Sequence, residues 1–203
     1  MAIVAIDGTG GVGKSFLSAQ LAALTRCPVI PEGEVGVFPE WVTNSFASHT
    51  LVSKRNTWFT ERCVRAGECA MRLGTPGIHC FIDSGPLTHE AYLRVDAARH
   101  DSPEVHLQAD RLRSVTPDLC VVLLTDEAEL RSVIARRARE FEQHEMVVSR
   151  MISVQEEIQS LARHYPVLTI DRRGKDYSRY ADLDEVWHTI AEVVAALPLE
   201  SQG

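Results

Sequence analysis

The stretch from Ile3 to Ala22, IVAIDGTGGVGKSFLSAQLA, constrains the fold more than any other part of this chain. Within it, the octapeptide GTGGVGKS from Gly8 to Ser15 matches the pattern G-x-x-x-x-G-K-[ST]. An apolar run ending at Asp7 precedes the octapeptide, and a helical pattern follows it. Glycines let backbone amides converge on a phosphate at the start of a helix, where the helix dipole favours negative charge. The sequence therefore predicts a strand, a phosphate-binding loop and a helix in succession.

The residues of this loop have separate expected tasks. The Lys14 side chain is expected to reach the β- and γ-phosphates of a bound nucleotide, and the Ser15 hydroxyl to ligate Mg²⁺. The glycines and the first residues of the helix are expected to supply amides. The predicted nucleotide-binding residues of the loop are Gly8, Gly10, Gly11, Val12, Gly13, Lys14, Ser15 and Phe16.

Apolar runs of strand length alternate with longer helical patterns along the rest of the chain. This alternation predicts βαβ units with right-handed crossovers and a parallel sheet covered by helices on both faces. A single domain over residues 1–203 suits the length. The predicted strands are 2–7, 28–31, 78–83, 118–125 and 166–170, and the predicted helices are 14–25, 54–73, 86–99, 103–115, 127–137, 143–164 and 183–197.

The composition limits the kinds of partner that this protein is expected to bind. The formal net charge of −7 disfavours extended nucleic acid, although a local basic groove would be compatible with it. No run approaches the roughly 18 consecutive apolar residues of a membrane helix, so no membrane partner is expected. The five cysteines form no C-x-x-C pair, which indicates buried reduced thiols and a cytoplasmic location. The exposed faces of the predicted helices leave a homodimer open.

Other classes that use this loop fit less well. A regulatory GTPase would need an N-K-x-D-like guanine reader, which the sequence lacks, and a partitioning ATPase usually has lysine where Thr9 stands. A motor ATPase would need apolar residues that run directly into Asp-Glu, but Thr125 interrupts VVLLTDE, and Asp126 with Glu129 resembles a helix-capping box. A small-molecule kinase is the leading interpretation. A nucleotide-dependent regulatory or assembly ATPase is the alternative from a different class.

Two charged stretches favour the kinase interpretation. Asp83 ends a predicted strand beside the loop, where a carboxylate can handle Mg²⁺ or a reacting hydroxyl, although it could merely cap the following helix. Three arginines crowd together after Glu129, and two of them lack an acidic residue at i±4. Such a cluster suits a phosphoryl-transfer lid, and a solvated basic helix face is the alternative. The three are Arg136, Arg137 and Arg139.

A third stretch, the helical pattern from residue 54 to residue 74, offers a candidate for substrate contact. Arg62 has no charged residue at i±4 and lies next to an apolar stripe, so it could face a ligand or solvent. The stripe consists of Phe59, Cys63, Ala66, Ala70 and Leu73.

Together these motifs resemble the thymidylate-kinase-like and deoxynucleoside-kinase-like group of P-loop kinases. The resemblance rests on the loop, on PEGE at 31–34, on the W-F-x-x-R pattern from Trp58 to Arg62, on D-x-G-P-L…A-Y from Asp83 to Tyr92, and on the arginine-rich segment at about 131–143. It implies a three-layer α/β fold with a five-stranded parallel sheet in the order 2-3-1-4-5 and a helical lid.

The resemblance also implies transfer of the ATP γ-phosphoryl to a nucleoside or nucleoside monophosphate, with ATP and Mg²⁺ as cofactors. A modified nucleotide within nucleic acid, or another small metabolite, is an alternative acceptor. Most members of the group carry a phosphate-contacting arginine where this chain has Ser84, which weakens the monophosphate interpretation or indicates an unusual acceptor.

The implied roles fall on named positions. Glu32 or Glu34 would be the base, Asp83 would act in catalysis and hold metal with Ser15, and the acceptor would contact Glu34, Trp58, Arg62 and Asp83. The lid residues Arg136, Arg137 and Arg139 would close over ATP, with Arg136 also binding it, and the loop at 171–177 would pass the adenine.

Overall fold

Strands and helices alternate along the computed structural model, which describes residues 1–32, 41, 49–74, 78–100, 105–137, 145–175 and 179–196. The strands are β1 (Ile3–Asp7), β2 (Val29–Ile30), β3 (Cys80–Asp83), β4 (Leu119–Leu124) and β5 (Val167–Asp171). The helices are α1 (Lys14–Thr25), α2 (His49–Arg72), α3 (Pro86–His100), α4 (Val105–Arg113), α5 (Glu127–Arg137), α6 (Glu145–Leu161) and α7 (Tyr180–Ala196), with a 3-10 turn at Ala162–His164.

The five strands form one parallel sheet in the order β2-β3-β1-β4-β5, which confirms the predicted order. Ile6 of β1 is in register with Asp83 of β3 and with Val121 of β4. The loop after β1 and the end of β3 therefore lie side by side at the carboxyl edge of the sheet. In open α/β sheets this edge is where ligands bind.

Alternating side chains of β1 enter two different cores. Val4 and Ile6 pack in a cluster with residues of α1, α5 and α7, while Ile3 and Ala5 pack in a cluster with residues of α2 and α3. Residues of α6 enter both clusters. Because a strand buried on both faces has no solvent-facing side chains, β1 is apolar throughout until Asp7.

The helix boundaries follow local signals. The Asp126 carboxylate accepts the amide hydrogen of Glu129 at 2.8 Å, so this aspartate caps α5 as the sequence predicts. In α2, Cys63 and Ala70 of the predicted stripe are buried, but Leu73 is exposed because α2 ends one residue before it. Within the described part of the chain, no helix is both long and apolar enough to cross a bilayer.

Candidate active site

The loop between β1 and α1 takes a conformation that needs glycine. Gly8 has φ of 144°, and a β-carbon there would lie 2.8 Å from the carbonyl oxygen of Leu123. Gly13 has φ of 97° directly before α1, and its carbonyl accepts the amide hydrogen of Leu17 at 2.9 Å. Both glycines therefore stand in the left-handed region that other residues rarely adopt, and the loop leads straight into the helix start.

Two other helices hold this loop from its side. The Gly8 amide donates to Thr88 Oγ1 at 3.0 Å, and the Gly10 amide donates to the Tyr92 hydroxyl at 2.8 Å. Thr88 and Tyr92 are four residues apart on α3, so they lie on one face of that helix. From α6, the carbonyl of Met151 accepts the Thr9 hydroxyl at 2.9 Å. Tyr92 ends the D-x-G-P-L…A-Y motif of the sequence, but no sequence pattern indicates that its side chain reaches the phosphate loop.

Thr88 also fixes the carboxylate at the end of β1. Asp7 is fully buried, and its Oδ1 accepts the Thr88 amide at 2.8 Å and the Thr88 hydroxyl at 2.7 Å. Burial raises the pKa of Asp7, and both bonds from Thr88 oppose that rise. One threonine thus joins the end of β1 to the first amide of the loop.

The predicted metal and phosphate residues come together in the structure. Lys14 Nζ donates to the Thr9 carbonyl at 3.1 Å, and both Lys14 and the Ser15 hydroxyl lie near enough to the Asp83 carboxylate to lower its pKa. Burial raises the pKa of Asp83, while the positive charge of Lys14 opposes the rise. Asp83 Oδ1 is buried and has no hydrogen-bond partner, so this acceptor oxygen is unused.

His89 joins Glu32 to the cluster. Its Nε2 lies 3.8 Å from Glu32 Oε1, and Phe59 stacks on its ring with 5.4 Å between centroids. Burial lowers the pKa of His89 to about 4, so the ring is neutral near pH 7. His89 is not a defining residue of any motif singled out in the sequence, and only the folded chain shows that it borders this site.

Arg62 contacts Glu32 through the backbone of Glu32 and not through its carboxylate. Its Nε donates to the backbone carbonyl of Glu32 at 2.8 Å, and its guanidinium lies 4.7 Å from the centre of a Trp58 ring. The side chain thus has partners that an i±4 search for acids does not find. The structure brings together Trp58 and Arg62, to which the resemblance assigns acceptor contact, and Glu32, one of the two candidate bases.

A buried ionic cluster supports Tyr92 from behind. Arg150 donates to Asp96 through Nε at 2.6 Å and through a terminal nitrogen at 2.7 Å, and Arg55 donates to the same carboxylate at 2.5 Å. The Arg150 guanidinium also lies 4.5 Å from the centre of the Tyr92 ring. This cluster ties α2, α3 and α6 together beside the phosphate loop.

The other predicted positions are distributed as follows. Arg136 is exposed in the last turn of α5, and Arg137 ends that helix, while Glu34 and Arg139 lie outside the described residues. The lid therefore stays a prediction. Among the described residues no group of three or more His, Cys, Asp or Glu side chains could hold a metal by itself. A metal here would need Ser15, Asp83 and ligand oxygens.

The fold is similar to the folds of solved nucleoside and nucleotide kinases. The deoxyadenosine kinase from M. mycoides with products dCMP and a flexible dCDP bound superposes with a TM-score of 0.74 at 14% identity, covering 94% of this chain and 99% of that one. The same enzyme with dATP bound gives 0.70 at 15% identity, covering 94% and 100%. Thymidylate kinase from Candida albicans gives 0.64 at 15% identity, covering 94% and 91%. No protein-family model and no curated protein sequence matches this chain.

Proposed function

We propose that this protein is an ATP-dependent phosphotransferase that moves the γ-phosphoryl of ATP to a nucleoside or nucleoside monophosphate. One observation carries the proposal: the unused, buried Oδ1 of Asp83 lies in the same cluster as Lys14 and Ser15, beside a phosphate-binding loop. The deoxyadenosine kinase and thymidylate kinase to which the fold is similar support this class of reaction.

The donor half of the proposed site uses the loop and α1. Amides of the loop surround the phosphates, Lys14 reaches the β- and γ-phosphates, and the transferring group is held in line with the acceptor. Ser15 and Asp83 fit Mg²⁺, because the metal prefers hydroxyl and carboxylate oxygens and Asp83 has one such oxygen unused. When bound, the ion would neutralise charge on the phosphate oxygens. The lid arginines Arg136, Arg137 and Arg139 are proposed to add positive charge over ATP.

The acceptor half lies around Glu32. We assign Glu32 the role of the base that accepts a proton from an acceptor hydroxyl, since its carboxylate faces neutral His89 and its backbone is held by Arg62. Glu34 stays an alternative base. Trp58 supplies an aromatic wall next to Arg62, which suits a planar acceptor. A monophosphate acceptor would need no strong base, so it would make Glu32 dispensable.

The test is acceptor-dependent formation of ADP across a panel of nucleosides and nucleoside monophosphates with Mg²⁺ and ATP. We expect one acceptor class to raise ADP formation well above the rate with ATP alone. Lys14→Met removes the positive charge that is proposed to contact the γ-phosphate. This substitution should abolish that increase. Arg173→Ala serves as the control, because Arg173 is exposed and pairs with Asp171.

Two results would contradict the proposal. One is an absence of acceptor-dependent ADP formation and of thermal stabilisation across the whole panel. The other is slow ATP hydrolysis that small molecules leave unchanged and a protein partner stimulates, which would indicate a regulatory or assembly ATPase. A steep fall of acceptor binding with salt would instead indicate a nucleotide within nucleic acid, since contacts to a phosphate backbone are strongly salt-dependent.

A further inference from the structure

Arg172 lies at the same edge of the sheet as the phosphate loop. It follows the last residue of β5, and its amide donates to the carbonyl of Leu124 at 2.8 Å. This bond continues the pairing of β5 with β4 by one step and fixes the backbone of Arg172. The side chain therefore leaves from a rigid element rather than from the loop that follows.

The terminal end of this side chain is held by α5. Arg172 Nη1 donates to Glu129 Oε1 at 2.6 Å, and the two side chains are 17% and 25% exposed. Glu129 lies in the first turn of α5, and its own amide is bound by the Asp126 cap. The guanidinium is thus oriented by a partner that is itself fixed, which lowers the entropy cost of using its other donors.

The remaining feature is a donor without an acceptor. Arg172 Nε is buried and has no hydrogen-bond partner, and a β-carbon on Gly13 would lie 3.4 Å from it. Buried N–H groups in native structures nearly always have partners, so an unpaired one calls for a missing ligand or water. Here it lies against the last residue of the predicted phosphate-binding loop. Gly13 is the last residue before α1, where the helix dipole favours an anion.

We propose that Arg172 binds the donor nucleotide, with its Nε–H donating to a phosphate oxygen of a nucleoside di- or triphosphate held at Gly13. Glu129 acts as a positioning residue for this arginine. The inference rests on the proposed use of the loop for a nucleotide, and it adds a phosphate ligand from the residue after β5 to those of the loop itself. It also connects the nucleotide through Glu129 to the start of α5, the helix whose other end carries Arg136.

The neighbouring residue provides a matched control. Arg173 has the same charge and follows directly in the chain, but its side chain is 60% exposed and forms an ion pair with Asp171. Removing either arginine changes the net charge equally. Only the Arg172 substitution removes a buried donor beside Gly13, so a difference between the two variants isolates the contact from general electrostatics.

The experiment is titration of the whole chain with ATP, ADP and GTP, without any acceptor, by calorimetry or by a fluorescent nucleotide displaced with each ligand. For Arg172→Ala we expect Kd to rise by about 10- to 100-fold for all three nucleotides, the range of one charge-assisted hydrogen bond. Arg173→Ala should stay within about twofold of the wild type, because an exposed ion pair contributes little. Glu129→Gln should give an intermediate loss.

Each other outcome overturns a distinct claim. Equal Kd for wild type and Arg172→Ala would overturn the assignment of Arg172 alone, and a loss for ATP but not GTP would overturn the phosphate contact in favour of a base contact. Failure of the wild type to bind any nucleotide would overturn the proposed function together with this inference. Melting of the unliganded variants checks the fold, and Arg172→Met, which keeps the apolar stem, repeats the titration if Arg172→Ala unfolds.

Discussion

The Tyr92 hydroxyl accepts the amide hydrogen of Gly10 at 2.8 Å, so α3 holds the tip of the phosphate loop through one side chain. One helical turn earlier, Thr88 accepts the amide hydrogen of Gly8 at 3.0 Å. Two loop amides are therefore fixed from outside the loop before any ligand arrives. The expected result is a preorganised site, in which less ordering is needed when phosphate binds.

Tyr92→Phe should weaken nucleotide binding while keeping the fold. The substitution leaves the ring under Arg150 but removes the acceptor for the Gly10 amide. Because a neutral hydrogen bond contributes about 0.5–1.5 kcal/mol, we expect Kd for ATP to rise by roughly 2- to 10-fold. Titration of the variant and of the wild type with ATP measures this change in Kd. Tyr165→Phe removes a hydroxyl bound to buried Glu90 and should lower stability but leave ATP affinity unchanged. A wild-type Kd in Tyr92→Phe would show that the contact plays no part in binding.

Asp83→Asn should separate catalysis from nucleotide binding. The amide is the same size as the carboxylate and keeps its place beside Ser15, but it cannot neutralise a metal or accept a proton. We expect kcat to fall by about 10²- to 10⁴-fold, with Kd for ATP in the absence of Mg²⁺ nearly unchanged. Asp110→Asn, at a position 74% exposed, is the control for loss of one negative charge. Retention of kcat in Asp83→Asn would remove this residue from the mechanism.

Asp96→Asn should destabilise the fold strongly. Asp96 is 4% exposed and binds both Arg55 and Arg150, so its loss leaves two buried guanidiniums without their shared carboxylate. Breaking a buried ion pair costs about 3–5 kcal/mol, whereas an exposed pair contributes about 0–1 kcal/mol. Urea unfolding of Asp96→Asn and of Glu127→Gln, which breaks the exposed pair with Arg131, compares the two cases. Similar losses in both variants would contradict the role given to burial.

The sequence predicted the sheet well because apolar periodicity and the phosphate loop act locally. The bounds of α1 and α5 agree with the predicted residues 14–25 and 127–137, since an N-terminal loop or cap and a helical stripe mark both. The predicted start of α2 at residue 54 is five residues late, because the helix begins at His49. Strand order follows from the resemblance and not from periodicity, which says nothing about which strands pair.

The candidate site was predictable only where its residues belong to short motifs. Lys14, Ser15 and Asp83 stand in or beside such motifs, and they meet in the structure. Arg172 stands in a charged run that resembles any exposed turn. Its buried Nε depends on Gly13, which is far away in the sequence. His89 likewise gains its importance from Glu32 and Phe59, contacts that only the folded chain creates.

His89 should make stability depend on pH in a window that its substitution removes. Burial lowers its pKa from 6.5 to about 4, so the unfolded chain binds this proton more readily between those values. Stability must therefore fall as pH drops through that window and rise as pH increases. From pH 7 to pH 4 the contribution is on the order of 3 kcal/mol, since one pKa unit corresponds to about 1.4 kcal/mol.

Urea unfolding of the wild type and of His89→Gln at several pH values between 4 and 7 measures this contribution. Asp7 and Asp83, whose pKa values burial raises, titrate in both proteins, so the difference between the two curves belongs to His89 together with its electrostatic coupling to these two carboxylates. We expect the free energy of unfolding of His89→Gln to fall less steeply as pH decreases. Parallel curves would mean that His89 is protonated as easily in the folded chain as in the unfolded one, which its burial against Phe59 contradicts.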